Sequence, residues 1–162
     1  MFDQRGFSLT ELIVVVVILA TLLALTTLNF SDWTKKYNIE AQVKEMTTDL
    51  TEARLLAIQQ KKRHIVTLNP KSYVLRRYSS EFDANGTVVQ NKNLKYEIQR
   101  FTAGAYSAFA NTTVTFGDLG YTTDLITIAV GVGLARPALN CLTIHNARVN
   151  MGMINGNNCE FR

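Results

Sequence analysis

Glu11 stands at the N-terminal edge of residues 12–31, a stretch of this 162-residue chain that holds no charged side chain. Phe7, Ser8, Leu9 and Thr10 precede it. A carboxylate carried to membrane depth costs a few kcal/mol, so one in that place has a partner or a function. Its blander role is to lie in the headgroup zone and complement the positive end of a helix. Cys141 and Cys159 are too few for a disulfide scaffold or a four-cysteine metal site, and enough for one staple. Other constellations that could do chemistry do not assemble. Gly131-Val132-Gly133 lacks the glycine that completes a dinucleotide fingerprint, because Arg136 occupies its place. There is no Walker loop, no H-E-x-x-H and no G-x-S-x-G. His64 and His145 are far apart in sequence and each reads as a surface or strand residue. Asp83-Ala84-Asn85-Gly86-Thr87 is short of oxygen ligands for calcium, and Asn85-Gly86 reads as a turn. No enzyme activity, cofactor or metal is therefore expected.

The elements that position Glu11 can be read from hydropathy. Residues 12–31 open with Leu12-Ile13-Val14-Val15-Val16-Val17-Ile18-Leu19. As a helix they rise about 30 Å, enough to cross the hydrocarbon core of a bilayer. A secretory signal would carry a basic start and a small-x-small cleavage site after its apolar core. Here Met1-Phe2-Asp3-Gln4-Arg5-Gly6 holds one Arg and one Asp, and the downstream candidate, Ala24-Leu25-Thr26, is marginal. After Ser31 an amphipathic pattern begins. Ile39, Val43, Met46, Leu50, Ala53 and Ala57 recur at spacings of three and four, while Glu40, Lys44, Glu45, Asp49, Glu52 and Arg54 fill the other face. Neither Gly nor Pro interrupts residues 7–63, which predicts one helix from about residue 8 to about 62, its last turn carrying Lys61, Lys62 and Arg63. Thr26, Thr27 and Asn29 are weak helix formers that could soften its middle.

The remainder predicts seven or eight short strands: residues 64–68, 73–78, 87–89, 94–98, 113–116, 125–130, 142–144 and 147–149. One long helix followed by such strands suggests an α+β fold, with an antiparallel sheet wrapped against the helix. Composition agrees with one ordered domain. Hydrophobic residues make up 47% and charged residues 19%, with only 2 Pro, which argues against disorder and collagen-like or linker-rich designs. The net charge of +4 is uneven: residues 61–100 hold 9 basic and 3 acidic residues, whereas residues 101–162 hold 3 of each.

Arg5-Gly6-Phe7-Ser8-Leu9-Thr10-Glu11-Leu12, joined to the apolar run, resembles the processing signal of type IV prepilins and type II secretion pseudopilins. The resemblance implies the type IV pilin fold and cleavage between Gly6 and Phe7 by a prepilin peptidase. It also implies N-methylation of Phe7, and a role for Glu11 in pairing with the new amine of a neighbouring subunit during assembly. It divides the chain into a leader (residues 1–6), a transmembrane and filament-core half-helix (7–31), and an amphipathic half-helix with a β-rich head (32–162). Many major pilins carry a Pro where this chain has Leu28. Before assembly such a chain is a single-pass inner-membrane protein with its head in the periplasm; afterwards it belongs to a pilus or pseudopilus. In that oxidising compartment the leading reading of Cys141 and Cys159 is a disulfide, with two free thiols as the alternative.

The head resembles the GspH/FimT group of minor pilins and minor pseudopilins. The residues that carry the likeness are Glu52-Ala53-Arg54-Leu55-Leu56-Ala57-Ile58, Thr115-Phe116-Gly117-Asp118-Leu119-Gly120 and Thr143-Ile144-His145-Asn146-Ala147-Arg148-Val149. This implies a minor type IV pilin that primes pilus assembly at or near the filament tip, or a minor pseudopilin of type II secretion. Its partners would be other minor and major pilins, the prepilin peptidase and the inner-membrane assembly platform. Some relatives bind DNA through a Gly-Arg-x-Arg element, which here reads Ala147-Arg148-Val149-Asn150 and keeps only Arg148. A nucleic-acid role would have to use the earlier strands, with Lys71, Arg76, Arg77, Lys92, Lys95 and Arg100.

Overall fold

The computed structural model describes the chain except for residues 1–7, 81 and 162 and the side chains of residues 24–29. The chain divides into two units, Met1–Lys35 and Lys36–Arg162. In the first, helix α1 (Leu9–Gln60) begins. Its first turn is set by the Ser8 carbonyl, which accepts the amides of Glu11 and Leu12 at 3.1 Å each. Side chains described between residues 9 and 23 are exposed. Among the described residues no helix is long and apolar enough to cross a membrane.

In the second unit α1 turns one stripe inward. Ile39, Val43, Met46, Leu50, Ala53 and Ala57 are all buried, because three- and four-residue spacing stacks them on one helix face. The helix stops at Gln60 rather than at residue 62. Lys61 adopts a left-handed φ of 51°, and the amide of Lys62 donates to the Ala57 carbonyl at 3.3 Å, a Schellman-type cap. The three basic residues expected in the last turn therefore follow the helix, in and after its cap, and none lies in its last turn.

Among the described residues the strands are ten, in two antiparallel sheets, rather than seven or eight in one. The first sheet has the order β3-β2-β1-β6, from β1 (His64–Asn69), β2 (Ser72–Arg77), β3 (Thr87–Asn93) and β6 (Thr112–Phe116). The second has the order β10-β9-β8-β7-β4-β5. It contains β4 (Ile98–Thr102), β5 (Ala105–Ala108), β7 (Ile126–Val130), β8 (Cys141–His145), β9 (Arg148–Asn155) and β10 (Asn158–Phe161). Val66, Leu68, Leu75, Val114 and Phe116 from the first sheet share one core with Ile98, Ile128, Val130, Leu142 and Ile144 from the second and with the helix stripe.

Residues 94–97, expected to be in a strand, form a connection instead. The Leu94 amide donates to the Lys71 carbonyl and the Ile98 amide to the Pro70 carbonyl, both at 2.8 Å. Between them Gln42 grips Tyr96 twice: its Nε2 donates to the Tyr96 carbonyl (2.8 Å) and its Oε1 accepts the Tyr96 amide (2.9 Å). Backbone groups that a strand would spend on a ladder are thus spent on the β1–β2 turn and on the helix.

Strand β10 is held over its sheet by the Cys141–Cys159 disulfide. Strands two positions apart in a flat sheet lie about 9.6 Å from each other, yet the two Cα atoms are 6.1 Å apart. The β8–β9–β10 edge is therefore curled, and the disulfide pins the curl. Replacing both cysteines with serine is expected to lower stability by about 3 kcal/mol, because the cross-link removes freedom from the unfolded chain. Urea unfolding of the full chain in detergent measures this; an unchanged midpoint would count against it.

His64 is fully buried at the start of β1, not on the surface. Its Nδ1 lies 2.9 Å from the Lys62 carbonyl, so the neutral ring donates from that nitrogen, and Nε2 is buried without a partner. Burial lowers its pKa below 6.5; the Lys62 bond opposes this and the Arg77 charge adds to it. The folded chain then binds the proton less readily than the unfolded one. Stability is expected to be flat above pH 6.5 and to fall as pH drops from there towards the lowered pKa. A His64→Phe variant should lose that slope in thermal melts taken across pH; an unchanged slope would assign it elsewhere.

Candidate functional site

The processing residues Gly6 and Phe7 lie outside the described residues. Glu11 is described: it is exposed in the first turn of α1, where a carboxylate complements the helix dipole. Among the described residues no cation pairs with it.

The three head segments singled out in the sequence meet one another. Arg54 on α1 donates from Nε to the Gly120 carbonyl at 2.9 Å. Gly120 has a left-handed φ of 75°, which favours glycine, and a Cβ there would stand 2.6 Å from Cδ1 of Ile58, so any larger residue would be strained and would push that side chain aside. Two residues on, the Thr122 amide donates to the carbonyl of Asn146, in the β8–β9 turn, at 2.9 Å. Asp124 closes the connection by accepting the Thr115 amide at 2.8 Å. Residues 117–124 therefore clasp helix, first sheet and second sheet together.

The basic residues do not form one footprint. Arg148 is exposed at the start of β9 in the second sheet, whereas Arg76 and Arg77 are on β2 in the first. Along β2 Arg76 lies on the face opposite buried Tyr73 and Leu75. Arg77 turns to the helix and donates to Gln60 Oε1 at 3.3 Å. Lys71 pairs with Glu97 at 3.2 Å. Lys92 pairs with Glu45 and lies 3.5 Å from Asp49, and the hydrogen bond it donates to Glu45 raises the pKa of its ammonium. Arg100 stacks 5.9 Å from the ring centre of Phe109, and Lys95 lies 5.8 Å from that of Tyr96. Lys71, Arg77, Lys92, Lys95 and Arg100 thus each lie beside a carboxylate, a ring or the Gln60 amide of this chain.

Asp49 also accepts a hydrogen bond from the buried Tyr73 hydroxyl. Burial first, and the Asp49 bond and charge next, push the Tyr73 pKa well above its usual value. In the loop before β3, Asp83 receives hydrogen bonds from Ser79, Asn85 and Gly86, and these hold its carboxyl well below the usual range. Its oxygens organise the Asn85-Gly86 turn.

Comparison with known proteins separates signal from fold. Residues 1–27 match the family model described as the prokaryotic N-terminal methylation motif. The structure matches that of the minor pseudopilin EpsH from the Type 2 Secretion System of Vibrio cholerae with a TM-score of 0.54. Identity is 10%, and the match covers 76% of this chain and 99% of that one. This chain carries an N-terminal methylation motif and shares its fold with a minor pseudopilin. No curated protein matches it.

Within this pilin-like fold two determinants escaped sequence reading. Gln42 sits on the helix stripe between Ile39 and Met46, and its polarity at an apolar position was the available signal. Gly152 faces β10, where a Cβ would lie 2.0 Å from the Glu160 carbonyl oxygen. Nothing local distinguishes it from a glycine in any other strand.

Proposed function

We propose that this chain is a minor type IV pilin that helps prime pilus assembly and sits at or near the filament tip. In this reading a prepilin peptidase cuts between Gly6 and Phe7 and the new Phe7 amine is methylated. The apolar run holds the chain in the inner membrane with its head in the periplasm. Other minor and major pilins and the inner-membrane assembly platform then draw it into the filament. Glu11 pairs there with the Phe7 amine of a neighbour, and that pairing sets register, because an unpaired buried charge is penalised far more than a paired one is rewarded. The observation that carries the reading is the methylation motif over residues 1–27, with Glu11 in the first turn of α1. The fold shared with EpsH favours a second reading, a minor pseudopilin of a type II secretion system.

Intact-mass measurement of the protein from membranes tests the processing step. The expected product begins at a methylated Phe7 and appears only when the peptidase is present. A chain cut instead beside Ala24-Leu25-Thr26, or left uncut, would overturn the proposal. Deleting the chain should lower the number of filaments and leave the shafts of those that form unaltered. Loss of secretion in place of surface filaments would favour the second reading.

A further inference from the structure

We infer that Phe30 and Trp33 form an interfacial collar, seated at the headgroup level of a lipid bilayer, that fixes the depth of α1. The inference rests on the membrane-anchored state of the proposed function and adds where the lipid boundary falls. Phe30 and Trp33 are each 65% exposed, which is unusual for two large rings on one helix face. Their centroids lie 6.3 Å apart with planes tilted by 34°, so they present one contiguous aromatic surface. Thr34 donates from its hydroxyl to the Phe30 carbonyl at 2.8 Å, keeping the backbone beneath the pair satisfied.

Their position along the chain names the occupant. The uncharged stretch begins just after Glu11 and ends at Ser31, and the next charges are Asp32, Lys35 and Lys36. From Leu12 to Phe30 a helix rises about 27 Å, close to the thickness of a hydrocarbon core. The rings therefore stand where apolar sequence gives way to charge. An indole has an apolar body and one N–H donor, a combination best satisfied where acyl chains meet headgroups. Lys35, 3.2 Å from Asp32, can run its apolar stem along the boundary and keep its ammonium beside lipid phosphates. A collar in water would leave two aromatic faces hydrated; one deep in the core would carry Asp32 and Lys35 in with it.

Trp33 is the single tryptophan, so the test needs no label. The full chain is reconstituted in vesicles of phosphatidylethanolamine and phosphatidylglycerol, some carrying bromine near the ester end of the acyl chain, others near its methyl end. Flotation is scored first. Quenching is expected to be at least about twofold stronger with the ester-end bromines. Exchanging the pair, Trp33→Phe with Phe30→Trp, moves the reporter about 4.5 Å towards the core and should narrow that ratio. If the chain floats but Trp33 is quenched by neither lipid, or more strongly by the methyl-end bromines, the collar is wrong and the anchor stands. If the chain does not float, the anchored state fails and the collar fails with it.

Discussion

Replacing Glu11 with valine is expected to leave the chain in the membrane and to lower its recovery in sheared filaments by at least about tenfold. Valine suits the apolar run that follows, so insertion should not suffer. The loss falls on the partner. In the proposed assembly the amine created at Phe7 enters an apolar bundle, and without a carboxylate it would be buried as an unpaired charge, a penalty of about 3–5 kcal/mol. A tenfold effect corresponds to about 1.4 kcal/mol, so even a partly hydrated site should reveal it. Glu11→Asp keeps the charge on a shorter arm and should fall between the two. Comparing the chain in membrane and filament fractions checks this, and equal incorporation of the valine variant would remove Glu11 from assembly.

Gly152→Ala is expected to unseat β10 and to cost more than about 3 kcal/mol. A Cβ at this position would meet the Glu160 oxygen at 2.0 Å, its carbonyl carbon at 2.7 Å and the Cα of Phe161 at 3.2 Å. All three are backbone atoms, so no rotamer change relieves the clash; the β9–β10 pairing itself must open. Gly152 also pairs with Cys141 on the neighbouring strand β8, and its carbonyl accepts the Asn140 amide at 3.0 Å. Disturbance there reaches the half of the disulfide that the curl depends on. Gly156→Ala is the control: it has a φ of 56° but nothing within 4 Å of its Cβ, so it should cost only about 1–2 kcal/mol. Urea midpoints and titration of free thiol read both variants. Equal midpoints, with no thiol released from the Gly152 variant, would contradict the argument.

The disulfide and the glycine belong to a feature that residue patterns do not display. Strand β5 was missed because its turn, Ala103-Gly104, holds both residues at positive φ (48° and 87°), and alanine is not the residue that announces such a turn. Residues 94–97 were misread because Leu94, Tyr96 and Ile98 alternate as a strand does. Their backbone partners are Lys71, Pro70 and the side chain of Gln42, and Gln42 is 54 positions from Tyr96. His64 is a strand residue, as one of its two sequence readings has it, and the alternation of β1 turns it into the core.

The methylation motif of residues 1–27 and the helix stripe needed only local information. A processing motif is a contiguous string, and a 3.6-residue period puts Ile39, Val43, Met46, Leu50, Ala53 and Ala57 on one side whatever packs against them. The division of the ten described strands into two sheets, the clasp from Arg54 through Gly120 and Thr122 to Asn146, and the pairing of Lys92 with the helix carboxylates came only with the tertiary structure. A backbone amide or a surface cation is equally well served by many partners, and which one it takes depends on segments that meet only after the chain has folded.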